Sequence, residues 1–240
     1  MAENSDAPVT VVAGVGPGLG AALARRFALS YPVALIARGP SYAEQLSAEI
    51  KTGGGRALPV AADVSQPHEV AGAFELIKRE MGAVHILLYN AGNAFFGSIR
   101  ELSAEQFEAN WRICALGAFL CVKAVLDDMT QRAGGTILFT GATAGVKAGA
   151  RSAAFGPAKF ALRGLAQSLA RDLGPQGIHV AYINVDGMID EPRLRARVSN
   201  LKPEDLLRPE AIADTYWHLA HQDRSAWTME LDLRPFKEKF

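Results

Sequence analysis

Short apolar runs of strand length alternate with longer amphipathic stretches along the whole chain, and this alternation limits the fold more than any other feature. Alternating strands and helices are typical of a parallel sheet, because each parallel strand needs a long crossover connection, usually a helix. Right-handed crossovers place helices on both faces of the sheet and a ligand crevice at the carboxyl ends of its strands. Seven runs are predicted as strands: Val9–Ala13, Val33–Ala37, Ala57–Val60, His85–Tyr89, Thr136–Thr140, His179–Asn184 and Met229–Leu233.

The segments between these runs have the length and apolar spacing of helices. They are predicted over Leu19–Ala28, Tyr42–Ile50, Glu69–Met81, Ala104–Thr130, Ala153–Leu173 and Pro203–His221. No repeat period or low-complexity linker divides the 240 residues. We therefore expect a single domain spanning residues 1–240.

The charge balance argues against nucleic acid as a partner. Lys and Arg number 25 and Asp and Glu number 25, so the formal net charge is zero, whereas nucleic-acid binding depends on excess Lys and Arg that neutralise phosphates. No apolar stretch approaches the roughly 18 residues that a membrane span requires. The start, Met1–Asp6, carries acids where a secretory signal carries basic residues, and we expect a cytoplasmic protein that does not bind membranes.

The cysteines and histidines predict neither a disulfide framework nor a metal site. Cys114 and Cys121 are the two cysteines, and in a helix they would lie about 10 Å apart along the axis, too far for a bridge. His218 and His221 share a helical face but have no carboxylate or cysteine in register. Two partly exposed helix residues explain them better than a metal site does.

A glycine-rich turn follows the first predicted strand and leads directly into the first helix. Gly14, Gly16, Gly18 and Gly20 lie in this turn, and the helix begins at Leu19. Glycines let the backbone turn sharply and approach a pyrophosphate, which is met by free N–H groups and the positive end of the helix. The order of strand, turn and helix indicates a Rossmann-like dinucleotide site, although a plain tight turn remains the alternative.

These residues resemble the short-chain dehydrogenase/reductase family, and so do further motifs in the same order. Gly14, Gly18 and Gly20 match its TGxxxGxG turn, with Ala13 replacing the usual threonine. The matches that follow are Asp63-Val64, Asn90-Ala91-Gly92 and Lys159 with the run up to Ala166. The resemblance covers nearly the whole chain and implies a doubly wound parallel sheet of about seven strands in the order 3-2-1-4-5-6-7.

The resemblance also implies a nicotinamide dinucleotide cofactor and its contacts. Asp63 and Val64 would contact the adenine, and Asn90, Ala91 and Gly92 would line the cofactor crevice. The alternatives for these residues are a helix cap and a turn. The cofactor-binding set that the resemblance implies is completed by Gly14, Gly16, Gly18, Leu19, Gly20, Arg38, Lys159 and Gly187.

Arg38 decides the expected cofactor preference. An NAD enzyme normally has an acid at the end of the second strand to hold the ribose hydroxyls, but here Ala37 is followed by Arg38. An arginine can pair with the 2′-phosphate of NADP(H) through its planar fork of donors. We therefore expect NADP(H) in preference to NAD(H), with a solvated surface charge as the alternative for Arg38.

The catalytic positions depart from the family pattern. Active members use a tyrosine as general acid, a lysine four residues later that lowers its pKa, a serine thirteen residues before it, and an asparagine in an Asn-x-x-Gly pattern. Counting from Lys159, the tyrosine position holds Phe155 and the serine position holds Ala142. Cys114, three residues before Gly117, stands at the asparagine position. Of the four catalytic identities only Lys159 remains.

Two functions are compatible with this departure. In the first, the chain is an atypical oxidoreductase that transfers hydride to a carbonyl, quinone or imine-type small molecule and uses another proton source. Thr143, Tyr89, Cys114 and Asp186 are the candidate donors, and each is also explained by a structural role. In the second, the chain is a catalytically inactive cofactor-binding or dimerising module that acts through a protein partner, because Phe155 keeps the shape of tyrosine without its acid.

Two further implications of the resemblance concern the segment after the sixth strand and the assembly. Asp186-Gly187 stands where the family has Pro-Gly, and the family's nicotinamide-contacting threonine falls near Glu191. The family implies a homodimer or homotetramer built from the helices predicted over Ala104–Thr130 and Ala153–Leu173. Apolar residues on more than one face of these helices fit that arrangement.

Overall fold

The computed structural model describes residues 8–238, which form one α/β domain around a seven-stranded sheet. The described strands are β1 Val9–Ala13, β2 Val33–Ala37, β3 Ala57–Ala61, β4 Val84–Tyr89, β5 Gly135–Thr140, β6 Ile178–Val185, β7 Met188–Ile189, β8 Leu206–Leu207 and β9 Glu230–Leu233. All seven strands of the large sheet run parallel in the order β3-β2-β1-β4-β5-β6-β9, while β7 and β8 pair with each other. The predicted strand order is confirmed, with β9 as the seventh strand of the sheet.

The helices follow the predicted alternation. They are α1 Leu19–Ala28, α2 Pro40–Thr52, α3 Pro67–Met81, α4 Ala104–Trp111, α5 Gly117–Gln131, α6 Phe155–Leu173, α7 Pro192–Arg197 and α8 Pro209–Ala220. The single helix predicted over Ala104–Thr130 is α4 and α5 joined by a π-helical turn at Arg112–Leu116. Such turns are rare and frequently lie at functional sites.

The helix predicted over Pro203–His221 is wrong in its first part. Pro203–Asp205 forms a short 3-10 turn, and Leu206–Leu207 pairs with Met188–Ile189. The helix α8 begins only at Pro209, because a proline holds the preceding residue, Arg208, in an extended conformation. The apolar periodicity of the segment did not distinguish a two-residue strand from the first turn of a helix.

Two apolar layers enclose the sheet, one on each face. On one side α3, α5 and α6 pack against it through fully buried residues such as Ile77, Val125 and Leu162. On the other side α1, α2 and α8 contribute Phe27, Leu46 and Tyr216. This is the predicted doubly wound arrangement, which leaves the carboxyl edge of the parallel strands as the place for a ligand.

The remaining sequence predictions concern the membrane, the chain start and the cysteines. Within residues 8–238, no helix is both long enough and apolar enough to cross a membrane. The acidic start Met1–Asp6 lies outside the described residues. Cys114 and Cys121 are both buried free thiols, as their spacing predicts. Burial raises the pKa of the Cys121 thiol, so this cysteine stays protonated and unreactive at neutral pH.

Candidate functional site

A large cleft of about 1390 Å³ opens along the carboxyl ends of the parallel strands. Its wall combines the loops after β1, β2, β3, β4, β5 and β6, which the parallel sheet brings to one edge. Fifteen of the predicted site residues lie on this wall: Gly14, Gly16, Gly18, Leu19, Gly20, Arg38, Asp63, Val64, Asn90, Ala91, Gly92, Ala142, Phe155, Lys159 and Gly187. The fold therefore brings segments that are far apart in the sequence together around one cleft.

The glycine turn is packed too closely for side chains at two of its positions. Gly14 has a φ of +97°, and a Cβ on it would lie 2.4 Å from the backbone nitrogen of Ala91. A Cβ on Gly20 would lie 2.5 Å from the carbonyl oxygen of Gly14. Gly14 therefore allows the turn to approach the segment after β4. Gly20 allows the first turn of α1 to pack directly against the glycine turn.

Asn90 braces the turn against the neighbouring strands. Its side-chain amide donates to the carbonyl oxygen of Gly14 at 2.9 Å, and its amide oxygen accepts from the hydroxyl of Thr140 at 3.1 Å. The Asn90 N–H also donates to Ala13 O at 2.8 Å. The Thr140 hydroxyl lies 2.8 Å from that of Tyr216, so the network links the ends of β1, β4 and β5 to α8.

Lys159 brings a positive charge to the cleft although it is almost fully buried. Its side chain is 4% exposed, and its ammonium donates to the carbonyl oxygen of Thr140 at 2.8 Å. An ammonium has three protons to donate, and this is its one hydrogen bond to the described residues. Burying a lysine is costly unless it is paired, so its position on the cleft wall favours a ligand that accepts the remaining donors.

Phe155 forms an apolar wall beside this lysine. Its ring centroid lies 5.3 Å from that of Phe96 in an edge-to-face arrangement, which is a favourable aromatic geometry. The ammonium of Lys159 lies 5.8 Å from the Phe155 ring centroid. A carbon ring therefore stands on the cleft wall, with no acid proton, next to the retained lysine.

Ala142, which the sequence comparison matched to the family's serine, lies in the loop after β5 and brings no hydroxyl to the cleft. Its backbone N–H donates to the Tyr182 hydroxyl at 3.4 Å. Burial raises the pKa of Tyr182 to about 12, so this phenol holds its proton at neutral pH. The neighbouring Thr143 lines the cleft, but its hydroxyl donates to the Asp186 carboxylate at 2.6 Å. The Thr143 proton is thus already used within the protein.

The other candidate proton donors are structural. Tyr89 is fully buried and its hydroxyl donates to the carbonyl oxygen of Ile113. Cys114 is also fully buried and is not among the described residues that line the cleft. Asp186 is 4% exposed and pairs with Arg234 at 3.3 Å in addition to Thr143. Of the four candidates only Thr143 reaches the cleft.

The far end of the cleft is formed by the loops after β2 and β3. Arg38 is exposed on this wall. One Asp63 carboxylate oxygen accepts from the N–H of Ser65 at 2.9 Å, while the N–H of Asp63 donates to Glu69. Asp63 therefore stabilises its own turn as well as lining the cleft, and both the structural and the ligand-binding interpretations of this residue are compatible with its contacts.

Two structural features, one on the cleft wall and one in α4, were not identified from the sequence. Glu191 presses against the glycine turn, since a Cβ on Gly18 would lie 2.5 Å from its carboxylate oxygen. Asn110, in α4, is fully buried, and neither polar atom of its side chain has a hydrogen-bond partner among the described residues. Asn110 lies just before the π-helical turn that contains Cys114. The apolar spacing of a helix predicts neither the Glu191 contact nor the unpaired Asn110 amide.

The glycine turn yields a matched pair of variants. We predict that Gly14→Ala lowers the free energy of unfolding by about 2 kcal/mol or more, because alanine is strained at positive φ and its Cβ meets backbone atoms. Gly16→Ala is the control, since a Cβ there meets no atom within 4 Å. Urea unfolding measures both, and equal effects of the two variants would contradict this account of the turn.

Comparisons with known proteins agree with this architecture. A short-chain dehydrogenase/reductase of Armillaria gallica is 34% identical over 180 residues, which is 73% of this chain and 69% of that protein. A Xanthobacter autotrophicus protein named inactive 2-(S)-hydroxypropyl-CoM dehydrogenase 2 is 36% identical over 151 residues, or 63% of this chain and 64% of that protein.

A crystal structure of a metagenomic short-chain oxidoreductase in complex with NADP has a TM-score of 0.83 and 27% identity. The match covers 95% of this chain and 97% of that one. The family model described as short chain dehydrogenase matches residues 8–200. With the sheet order, the glycine turn and the cleft in place, the chain belongs to the short-chain dehydrogenase family.

Proposed function

We propose that this chain binds NADP(H) in the cleft and reduces or oxidises a small molecule without the tyrosine acid of its family. The observation that carries the proposal is Lys159, a buried ammonium on the cleft wall with one protein acceptor. Its unused donors suit the hydroxyls of a ribose. Without such a ligand, a lysine at 4% exposure has one protein acceptor for its three ammonium protons, which makes its burial costly.

The cleft fits a dinucleotide at its other contacts too. Gly16 borders open space, so the turn has room for a phosphate beside its backbone. Arg38 stands on the wall after β2, where an acid would repel a 2′-phosphate. Leu19, Val64, Ala91, Gly92 and Gly187 complete the contacts that we propose for the cofactor. The NADP in the metagenomic relative supports the same class of ligand.

The chemistry we propose follows from what the wall supplies and what it lacks. A nicotinamide dinucleotide supplies hydride transfer when it is bound. Phe155 and Phe96 give this part of the wall two aromatic rings in edge-to-face contact, and the Thr143 hydroxyl donates its hydrogen bond to Asp186. Because a positioned acid is missing, we propose an acceptor whose reduced form spreads its negative charge, such as a quinone or conjugated imine, with the last proton taken from solvent.

A second candidate is a cofactor-binding module without turnover. It is favoured by the joint absence of the phenol at Phe155, the hydroxyl at Ala142 and any accessible group at Cys114. The Xanthobacter autotrophicus relative that is named inactive is in line with this candidate. Retention of Lys159 and of the glycine turn supports cofactor binding in both candidates.

We also propose that the chain forms a homodimer or homotetramer through the helices α4, α5 and α6. Four aromatic side chains on these helices remain between 41% and 46% exposed: Phe107, Trp111, Phe119 and Phe160. Aromatic residues that are exposed in a single chain are enriched in the parts of its surface that a protein partner buries. They therefore support a partner surface on this side of the domain.

This assembly predicts the behaviour of a charged variant. Light scattering at micromolar concentration is expected to give two or four times the chain mass of 25.6 kDa. Phe119→Glu should shift the protein towards the monomer, because a buried unpaired carboxylate opposes association. Phe236→Glu, on a residue that is 83% exposed outside these helices, is the control. A monomeric wild-type protein would contradict the proposal.

The cofactor preference predicts the outcome of a charge reversal at Arg38. Wild type is expected to bind NADPH at least about tenfold more tightly than NADH, and Arg38→Asp is expected to reverse this order, because a carboxylate repels the 2′-phosphate. Arg100→Asp changes the net charge equally at an exposed residue outside the cleft wall and should leave the preference unchanged. Titration calorimetry with both dinucleotides measures the effect. An unchanged preference in Arg38→Asp would contradict this assignment.

If Phe155 and Ala142 stand where the family has its tyrosine and serine, restoring both side chains should increase ketone reduction. The double variant Phe155→Tyr with Ala142→Ser should reduce simple ketones with NADPH at least about 10²-fold faster than wild type, the lower range for a positioned acid. The Lys159 ammonium, 5.8 Å from the ring at residue 155, would lower the pKa of the introduced phenol.

The loss of NADPH absorbance with a panel of ketones and quinones gives the readout for this variant. Ala142→Ser alone is the matched control, because it adds the hydroxyl without the acid. If the double variant binds NADPH but reduces ketones no faster than wild type, the missing phenol and hydroxyl do not limit ketone reduction, and this account of the site is contradicted. The wild-type protein is also assayed with quinones and imines. NADPH oxidation with either class would support the oxidoreductase, and none with both classes would favour the inactive module.

A further inference from the structure

The carboxylate of Glu191 lies against the glycine turn of the cleft. A Cβ built on Gly18 would stand 2.5 Å from Glu191 Oε2 and 3.1 Å from Glu191 Cβ. Both residues line the cleft. The contact therefore places a negative charge and its side-chain stem beside the segment that a dinucleotide's pyrophosphate would approach.

The short segment between β7 and α7 holds Glu191 in this position. Just before it, the Asp190 N–H donates to Leu207 O at 2.8 Å, which fixes the loop to β8. The Asp190 carboxylate is neutralised by Arg195 through contacts of 2.5 and 2.7 Å. Of these two adjacent acids, Asp190 is paired, whereas Glu191 lines the cleft without a hydrogen-bonded or ionic partner for its carboxylate among the described residues.

The surroundings of Glu191 resemble those that a phosphate would need. Gly18 precedes the first residue of α1, no side chain caps that helix and no acid lies in its first turn. The start of α1 therefore carries a partial positive charge that attracts an anion. The Glu191 carboxylate stands where it can supply that anion from within the chain.

We propose that Glu191 is a built-in competitor for the pyrophosphate of NADP(H). This rests on the proposed cofactor site and adds a control of affinity to it. Binding displaces the Glu191 carboxylate from Gly18 or brings two like charges together, and either event weakens the complex. The residue thus lowers cofactor affinity without taking part in hydride transfer.

A neutral replacement tests this directly. Glu191→Gln keeps the shape of the side chain and removes its charge, so it is expected to bind NADPH at least about tenfold more tightly than wild type in calorimetric titration at low ionic strength, which is about 1.4 kcal/mol. The difference should shrink as salt rises, because screening weakens the repulsion. Glu191→Ala, which also removes the bulk, should tighten binding at least as much.

Glu75→Gln provides the matched control. Glu75 is exposed on α3 and is not among the cleft-lining residues, so the same change in net charge there should leave NADPH affinity at the wild-type value. Thermal unfolding of each variant checks that the fold is retained. A gain in affinity shared by Glu75→Gln would assign the effect to net charge and overturn the proposal.

The outcomes separate this inference from the proposed function. Equal affinities in wild type and both Glu191 variants would overturn the competitor role while leaving the cofactor site standing. Weaker binding in Glu191→Gln would make Glu191 a cofactor ligand and also overturn it. No binding to wild type or to either variant up to millimolar NADPH would overturn the proposed cofactor site and the inference together.

Discussion

The cleft depends on one side chain, that of Asn90, which ties three loops of the parallel sheet together. Its amide contacts Gly14 O on one side and the Thr140 hydroxyl on the other, and Thr140 in turn contacts Tyr216 and Lys159. These contacts fix the glycine turn against the ends of β4 and β5. The sheet brings these loops to one edge, and the Asn90 amide joins them there, next to the Thr140 carbonyl oxygen that accepts from Lys159.

The cleft wall has two chemically different parts. Around the glycine turn and Lys159, the backbone geometry and the buried charge are those that a dinucleotide needs. Phe155 and Ala142 present only carbon side chains to the cleft, and the Thr143 hydroxyl is hydrogen-bonded to Asp186. This difference is the basis of the proposal that the protein binds a nicotinamide dinucleotide without using a tyrosine acid.

Most of the fold could be predicted because strand and helix periodicity is local. Val33–Ala37 and Leu19–Ala28 were predicted with their observed bounds, and the cleft lining followed from motif order. The start of α8 at Pro209 and the Glu191 contact with Gly18 depend on long-range packing, which no local pattern encodes. Cys114 was placed by alignment to a pattern, yet the helix turns its thiol into the core and away from the cleft wall.

We propose that the cleft binds a nicotinamide dinucleotide although Phe155 offers no acid proton there. Calorimetric titration of the wild-type protein with NADPH tests it most directly. The account predicts saturable binding of one dinucleotide per chain with a dissociation constant in the micromolar range, worth roughly 8 kcal/mol. No heat of binding up to millimolar NADPH would contradict it and reduce the glycine turn and Lys159 to parts of the scaffold.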